Sequence, residues 1–308
     1  MKPAPVVLFV HNRPWHTKQT VEALKRNELA KNSLLYIFSD GPKTKEDVNK
    51  VNEVREYIKT IKGFKKAIIS ESDKNKGLAN SIISGVTKII NKRGKVIVLE
   101  DDLITSPSLL VYMNKLLEEY KDEKKIYSIT GYNHPSKIMK IPKGYPYDVS
   151  FTPRASSWSW ATWKDRWDKV DWEIKDYENF KKSKRLQRKF NKTGEDKTPM
   201  LIKQMEGRID SWAIRWDYHH FKNKAYCVYP VKSYVNNIGH DSSGKHCGKN
   251  KKFYQKKLNR KENLKLPPTI KMNEKIIKRF RKIHKKNYIK QIIFKIIKIA
   301  EDTNSTKN

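Results

Sequence analysis

Lys95-Val96-Ile97-Val98-Leu99-Glu100-Asp101-Asp102 is the stretch that decides the fold. A β-branched apolar run, the mark of a buried strand, ends abruptly in three carboxylates. Reading backwards, Asn75-Lys76-Gly77 opens a helix that carries Leu78, Ile82, Ile83, Val86 and Ile90 at helical spacing. Before it, Lys66 to Ser70 reads as a strand. A polar helix with Val48, Val51, Val54 and Ile58 comes earlier still. Leu34 to Phe38 is another strand, ended by the turn signal Ser39-Asp40-Gly41-Pro42. Val6 to Val10 is the first strand, and Thr17 to Leu29, with Val21, Leu24 and Leu29, the first helix. A helix over Ser108 to Tyr120 follows the carboxylates. Strands separated by single helices imply βαβ units, an α/β fold and a mostly parallel, Rossmann-like sheet. Ligands of such sheets lie beyond the carboxyl ends of the strands. Those ends here are His11-Asn12-Arg13, Ser39-Asp40-Gly41, Asp73 to Gly77 and Glu100-Asp101-Asp102. No GxGxxG follows the first strand and no GxxxxGK[ST] is present, which argues against a dinucleotide-binding protein and a P-loop NTPase.

Three adjacent carboxylates repel one another and are costly without a cation. At a strand end they point to Mg²⁺ or Mn²⁺, hard ions that take carboxylate oxygens together with substrate phosphates. Strand alternation would put Glu100 and Asp102 on one face and Asp101 on the other. The other reading is a solvated acidic turn before a helix capped by Ser106 or Ser108.

From about Ile126 the pattern changes. Strand-like pieces at Tyr127 to Thr130 and Asp148 to Thr152 precede a cluster of Trp158, Trp160, Trp163, Trp167 and Trp172. Lys181 to Thr198 is charged and irregular and reads as a mobile loop. Arg208 to Phe221 reads as a helix containing Trp212 and Trp216, and Tyr226 to Pro230 as a strand. Asn236 to Gly248 is a Gly, Ser and His loop, followed by a basic linker to Asn263. In that loop His240 has two readings: an exposed histidine, or one that closes over phosphates or adds a metal ligand. A metal role for His246-Cys247 is the weaker idea. Trp158 and Trp160 offer aromatic faces to a sugar ring; core packing is the alternative.

The chain has 308 residues, 67 Lys plus Arg against 33 Asp plus Glu, and a formal charge of +34. Eight Trp, fifteen Tyr and ten Phe supply a core and exclude wholesale disorder. Two cysteines exclude a disulfide scaffold. Positive charge on this scale favours polyanions: nucleic acid, anionic lipid or nucleotide phosphate. Solvated surface lysine is the plainer account of much of it. From Glu274 to Ala300, Ile276, Ile277, Phe280, Ile283, Ile292, Ile293, Ile296 and Ile297 alternate with lysines and arginines. Such a basic amphipathic helix suits an anionic membrane surface; packing on the body of the protein or on a second copy are the other uses. No run approaches the ~20 apolar residues of a membrane span, and Val6 to Val10 is a poor signal peptide. The expectation is a cytoplasmic protein, peripheral on the inner face of the cell membrane.

Val96 to Leu103 followed by Ser106-Pro107 resembles the metal-binding segment of N-acetylglucosaminyltransferase I and its bacterial relatives, which are GT-A glycosyltransferases. Val10-His11-Asn12-Arg13-Pro14 with Ser39-Asp40-Gly41 is similar to their nucleotide-binding opening. Asn75-Lys76-Gly77-Leu78-Ala79 resembles the stretch before their next helix, and the Trp-rich block with Ile209-Asp210-Ser211-Trp212 their acceptor half. The resemblance spans about Val6 to Gly248. It implies a GT-A catalytic domain over 1–248, with a nucleotide-sugar half (1–125) and an acceptor half (126–248) containing a smaller mixed sheet. Residues 249–308 would be a basic linker and amphipathic helix. It implies Asp102 as metal ligand, Glu100 and Asp101 at the donor sugar or ribose, Asp40 at the uracil edge, and Arg13 near the phosphates, with Asn75 and Lys76 on the donor side. Asp210 would be the catalytic base, although the family has two adjacent acids before the Trp and this chain has Asp210-Ser211.

The resulting expectation is a Mn²⁺- or Mg²⁺-dependent transfer of a sugar from a nucleotide-sugar donor, a UDP-sugar, to a glycan or glycolipid hydroxyl. Metal-assisted departure of the diphosphate, charge compensation by Arg13, Lys76 or Lys245, and one base favour direct displacement with inversion. No specific nucleic-acid partner is expected. Two rivals remain: a nucleotidyltransferase, which usually has a Gly-rich loop after the first strand that is missing here, and a non-catalytic polyanion- or membrane-binding protein.

Overall fold

The computed structural model describes residues 2–241 and 251–285. Lys245, His246, Cys247 and the part of the basic amphipathic stretch beyond Lys285 lie outside the described residues.

The chain runs β1 (Val6–Val10), α1 (Pro14–Lys25), β2 (Leu34–Ser39), α2 (Asp47–Lys59), β3 (Lys66–Glu71), α3 (Leu78–Arg93) and β4 (Lys95–Glu100). Then come β5 (Leu103–Thr105), α4 (Leu109–Glu119), β6 (Ile126–Thr130), β7 (Val149–Thr152), β8 (Trp160–Trp163) and α5 (Lys164–Trp167). The last group is α6 (Tyr177–Lys182), α7 (Lys184–Phe190), α8 (Lys197–Met205), α9 (Trp212–Lys222), β9 (Tyr226–Pro230), β10 (Val235–Asn237) and α10 (Glu274–Ile283). Local chemistry sets several ends. Pro14 opens α1, where its missing N–H costs nothing. Gly94, at φ +76°, closes α3 with a left-handed turn and donates its N–H to Ile90 O at 2.7 Å.

The main sheet has eight strands in the order β3-β2-β1-β4-β8-β6-β9-β7. The first four are parallel, as the βαβ reading requires. β8 then enters antiparallel between β4 and β6, so the second half of the chain extends the same sheet. The smaller sheet is the antiparallel pair β5 and β10. Alternation divides the core between the two faces. Val6, Leu8, Ile97 and Leu99 pack on the face of α1 and α4. Val7, Phe9, Val96 and Val98 pack on the other, with Ile82 and Val86 of α3 and Trp212 and Trp216 of α9.

Two segments differ from expectation. Lys181 to Thr198 is largely helical rather than a loop, in α6, α7 and the start of α8. Phe180, Phe190 and Leu201 from these helices are buried with Ile214 and Tyr218 of α9. Their few apolar anchors are diluted among lysines, so no periodicity reveals them. The described part of the C-terminal stretch, α10, turns Ile276 and Phe280 inward against Met139, Cys227 and Tyr229 and buries Ile277 as well. In this part, then, the apolar stripe is spent on the protein's own core. Among the described residues no helix is long and apolar enough to cross a membrane.

Candidate functional site

β4 delivers the acidic residues to the carboxyl edge of the sheet, but the strand ends at Glu100. Asp101 and Asp102 form a turn into β5, so the alternation expected through Asp102 stops two residues early. α1 holds this turn: Thr20 Oγ1 donates to Asp101 O at 2.8 Å. The end of β10 holds it too, with Ile238 N–H on Asp102 O at 2.9 Å and Asn237 Nδ2 on Asp102 Oδ1 at 3.3 Å. Arg13, just before α1, pairs with Asp101 and, at 3.1 Å, with Asp102. Gly239 passes so close that a Cβ there would strike the Asp102 carboxylate and the Arg13 guanidinium.

The electrostatics follow from burial. Desolvation first, then Asp102 and Asp101, push the Glu100 carboxyl up to about 8. Asp102 is also raised, by burial ahead of every other cause, even though Arg13 opposes the shift. Burial works against the charge of Arg13, but the two aspartates outweigh it and hold the guanidinium protonated. Among the described residues, a buried set of hard oxygen ligands with one arginine between three carboxylates fits a divalent Mg²⁺ or Mn²⁺ ion. Among the described residues no group of three or more His, Cys, Asp or Glu could hold a metal by itself. An ion here would complete its shell with substrate oxygens and water.

The other strand ends form one loop cluster. Asp40 accepts from Lys76 N–H at 2.9 Å, Gly77 N–H at 3.1 Å and Gly41 N–H at 3.0 Å. Asn75 Nδ2 donates to Gly41 O at 2.8 Å and lies 3.2 Å from His11 Nε2. Asp40 and Asn75 therefore fix the loop that carries Lys76. Asp210 comes to the same loop: its Oδ2 accepts from Ala79 N–H at 3.4 Å, at the start of α3. Gly77, at φ +77°, leaves room for this carboxylate, which a Cβ would approach to 3.1 Å.

Beyond Gly239 the acidic turn adjoins a cavity of about 250 Å³. His240 and Trp158 line it, with ring centroids 5.3 Å apart, together with Tyr132, Phe253, His134 and Arg154. Among the described residues His240 Nε2 is buried with no hydrogen-bond partner. His240 thus faces the cavity and does not join Glu100 and Asp102 in a metal-holding group. Trp160 corrects the expectation of an acceptor platform. It is 0% exposed and stacks on Trp167 and Trp212 in the core, because β8 turns it toward α3 and α9. Trp158, before that strand, is the one that reaches the cavity.

Sequence reasoning missed Tyr132, His134, Arg154, Phe253 and His284 as cavity residues. None sits in a recognisable pattern, and His134 and His284 are 150 positions apart. It also passed over Trp15, 58% exposed beside Arg13. An exposed tryptophan among polar neighbours was the one signal available.

No protein-family model matches the chain, and no curated protein sequence matches it. Among solved structures, it is similar to the mannosyltransferase PcManGT from Pyrobaculum calidifontis in complex with GDP-Man and Mn²⁺, at 11% identity and a TM-score of 0.37. That likeness covers 53% of this chain and 47% of the other. The chain is also similar to S. aureus TarS, at 10% identity and a TM-score of 0.31, over 47% of this chain and 24% of that one. It therefore spans about half the length of the first and a quarter of the second.

Proposed function

We propose that this chain is a metal-dependent glycosyltransferase that moves a sugar from a nucleotide-sugar donor to a hydroxyl of a glycan acceptor. One observation carries the reading: among the described residues, buried carboxylates that share one arginine, at the carboxyl end of a parallel strand, adjoin an aromatic-lined cavity. Donor diphosphate belongs at the first and a sugar ring at the second.

Asp102, supported by Glu100, would hold Mn²⁺ or Mg²⁺, whose contribution is Lewis-acid stabilisation of the departing diphosphate. Arg13, already beside Asp102, and Lys76, on the loop fixed by Asp40, offset the remaining phosphate charge. Asp40 and Asn75 shape the wall against which the nucleotide, a uridine in this proposal, would rest. Trp158 offers a ring face to the acceptor. The acceptor oxygen forms a bond to the anomeric carbon as the bond to the diphosphate oxygen breaks. Its proton passes to Asp210, and a single displacement of this kind inverts the anomeric centre. The acceptor is a surface-glycan precursor, and the basic C-terminal stretch would bring the enzyme to an anionic membrane carrying it.

The test is a panel of nucleotide sugars with Mn²⁺, read by slow donor hydrolysis and thermal shift, with Asp102→Asn as control. One donor responding only with metal and intact Asp102 is the expected result. No response to any donor by folded protein, or an equal response from Asp102→Asn, would overturn the proposal.

A further inference from the structure

The cavity holds a second group of chemistry-bearing side chains, separate from the acidic turn. His134, after β6, and His284, at the end of α10, meet with their Nε2 atoms 3.3 Å apart. Behind each ring, the other nitrogen faces an outer partner. Tyr132 Oη lies 3.3 Å from His134 Nδ1, and Asp196 Oδ2 lies 3.7 Å from His284 Nδ1. Asp196 is itself fixed by a two-pronged pair with Arg154, at 3.0 and 2.6 Å.

We infer that His134 and His284 form a binding site for a divalent transition-metal ion, Zn²⁺ by the chemistry of its ligands, open to the cavity. The separation fits: two nitrogens on bonds of 2.0–2.1 Å at a tetrahedral angle stand about 3.3–3.4 Å apart. Imidazole nitrogen suits zinc and is a poor ligand for Mg²⁺. The Tyr132 hydroxyl on the far nitrogen of His134 is the kind of partner that aims a metal-binding histidine, while Asp196 lies beyond hydrogen-bond reach of the far nitrogen of His284. Burial, with Arg154 nearby, keeps both rings neutral and so in the ligating form, His134 down to about 3 and His284 down to about 4. Two of the nearby cations are paired, Arg154 with Asp196 and Lys197 with Asp217 at 2.9 Å, while Lys252 also bears on both rings. With two protein ligands, two positions of a tetrahedral ion face the cavity and await water or an oxygen-bearing ligand. The inference does not depend on the glycosyltransferase reading. An ion here would also tie α10 to β6, joining elements far apart in the chain.

The experiment titrates ZnCl₂ into the metal-stripped full chain by calorimetry, in excess Mg²⁺ to occupy the acidic turn. One Zn²⁺ per chain is expected, with affinity about tenfold or more weaker in both His134→Gln and His284→Gln. Absence of binding, or binding unchanged in both variants, would overturn the inference and leave the contact as an imidazole–imidazole hydrogen bond. Co²⁺ added to the wild-type chain decides the matter even if a variant misfolds. Tetrahedral cobalt bound by imidazole gives strong visible absorption, and a spectrum like that of the free aqueous ion counts against the site.

Discussion

Glu100 and Asp102, at the end of β4, are acids that burial pushes toward protonation. Across the cavity, His134 and His284 are bases that burial holds neutral. The same desolvation acts on both regions and moves them in opposite directions, because it penalises charge of either sign. The difference lies in how each region is balanced. At the acidic turn, among the described residues, three carboxylates share one arginine. Around the histidines Arg154 and Lys197 each have a carboxylate, Asp196 and Asp217. The first region calls for a hard cation to complete its charge. The second offers neutral lone pairs.

The comparison breaks most readily at Arg13. Removing it as Arg13→Met leaves buried carboxylates uncompensated, and we expect about 3 kcal/mol less stability without metal, measured by urea unfolding. Mn²⁺ should restore most of it. Arg154→Met should behave differently: Mn²⁺ should leave its loss unchanged, because the freed Asp196 lies beside His284 and away from the acidic turn. Equal rescue of the two variants by Mn²⁺ would dissolve the contrast.

Gly239→Ala gives a smaller effect at the boundary between the regions. The added methyl pushes on Asp102 and Arg13, so about 1–3 kcal/mol is expected from overpacking. Mn²⁺ affinity should fall while Zn²⁺ binding at the cavity persists. A variant indistinguishable from wild type in Mn²⁺ titration would show that Gly239 does not shape the acidic site.

The smallest effect is a pH slope. Glu100 rises from 4.5 to about 8 on folding, so the folded chain binds the extra proton between these values. Stability of the metal-free protein should therefore fall as pH rises from about 6.5 to 8, by about 1.4 kcal/mol per unit. Saturating Mn²⁺ should remove this slope. The histidines act in the other direction. Their folded values lie below the ordinary 6.5, so stability is lost as pH falls below it. His134→Gln should flatten the acid side alone, as read by thermal unfolding across pH.

The parallel half of the molecule was legible because its strands are short apolar runs with polar ends, and its helices repeat at regular intervals. The acidic turn was legible for the same reason: its residues are neighbours in the chain. What escaped depends on distance and on direction. Trp158 and Trp160 stand two apart, yet only the second is swallowed by the core, since its position on β8 is set by pairing with β4. The helices between Tyr177 and Met205 are anchored on α9 by residues that look isolated in a lysine-rich sequence. His284 reaches His134 only because α10 folds back across Tyr229, and neither residue has a local pattern to betray it.

The insertion of β8 has a consequence for synthesis. Val96 and Val98 of β4 pair with residues that emerge from the ribosome more than sixty positions later, at Trp160 to Thr162. Until then the growing chain carries a parallel sheet whose last edge is open and apolar, the kind of edge that recruits strands from other molecules. The stacking of Trp160 in the core waits longer still, for Trp212 of α9. The acidic turn at the tip of that edge strand can thus take its final form only after the tryptophan block has been made.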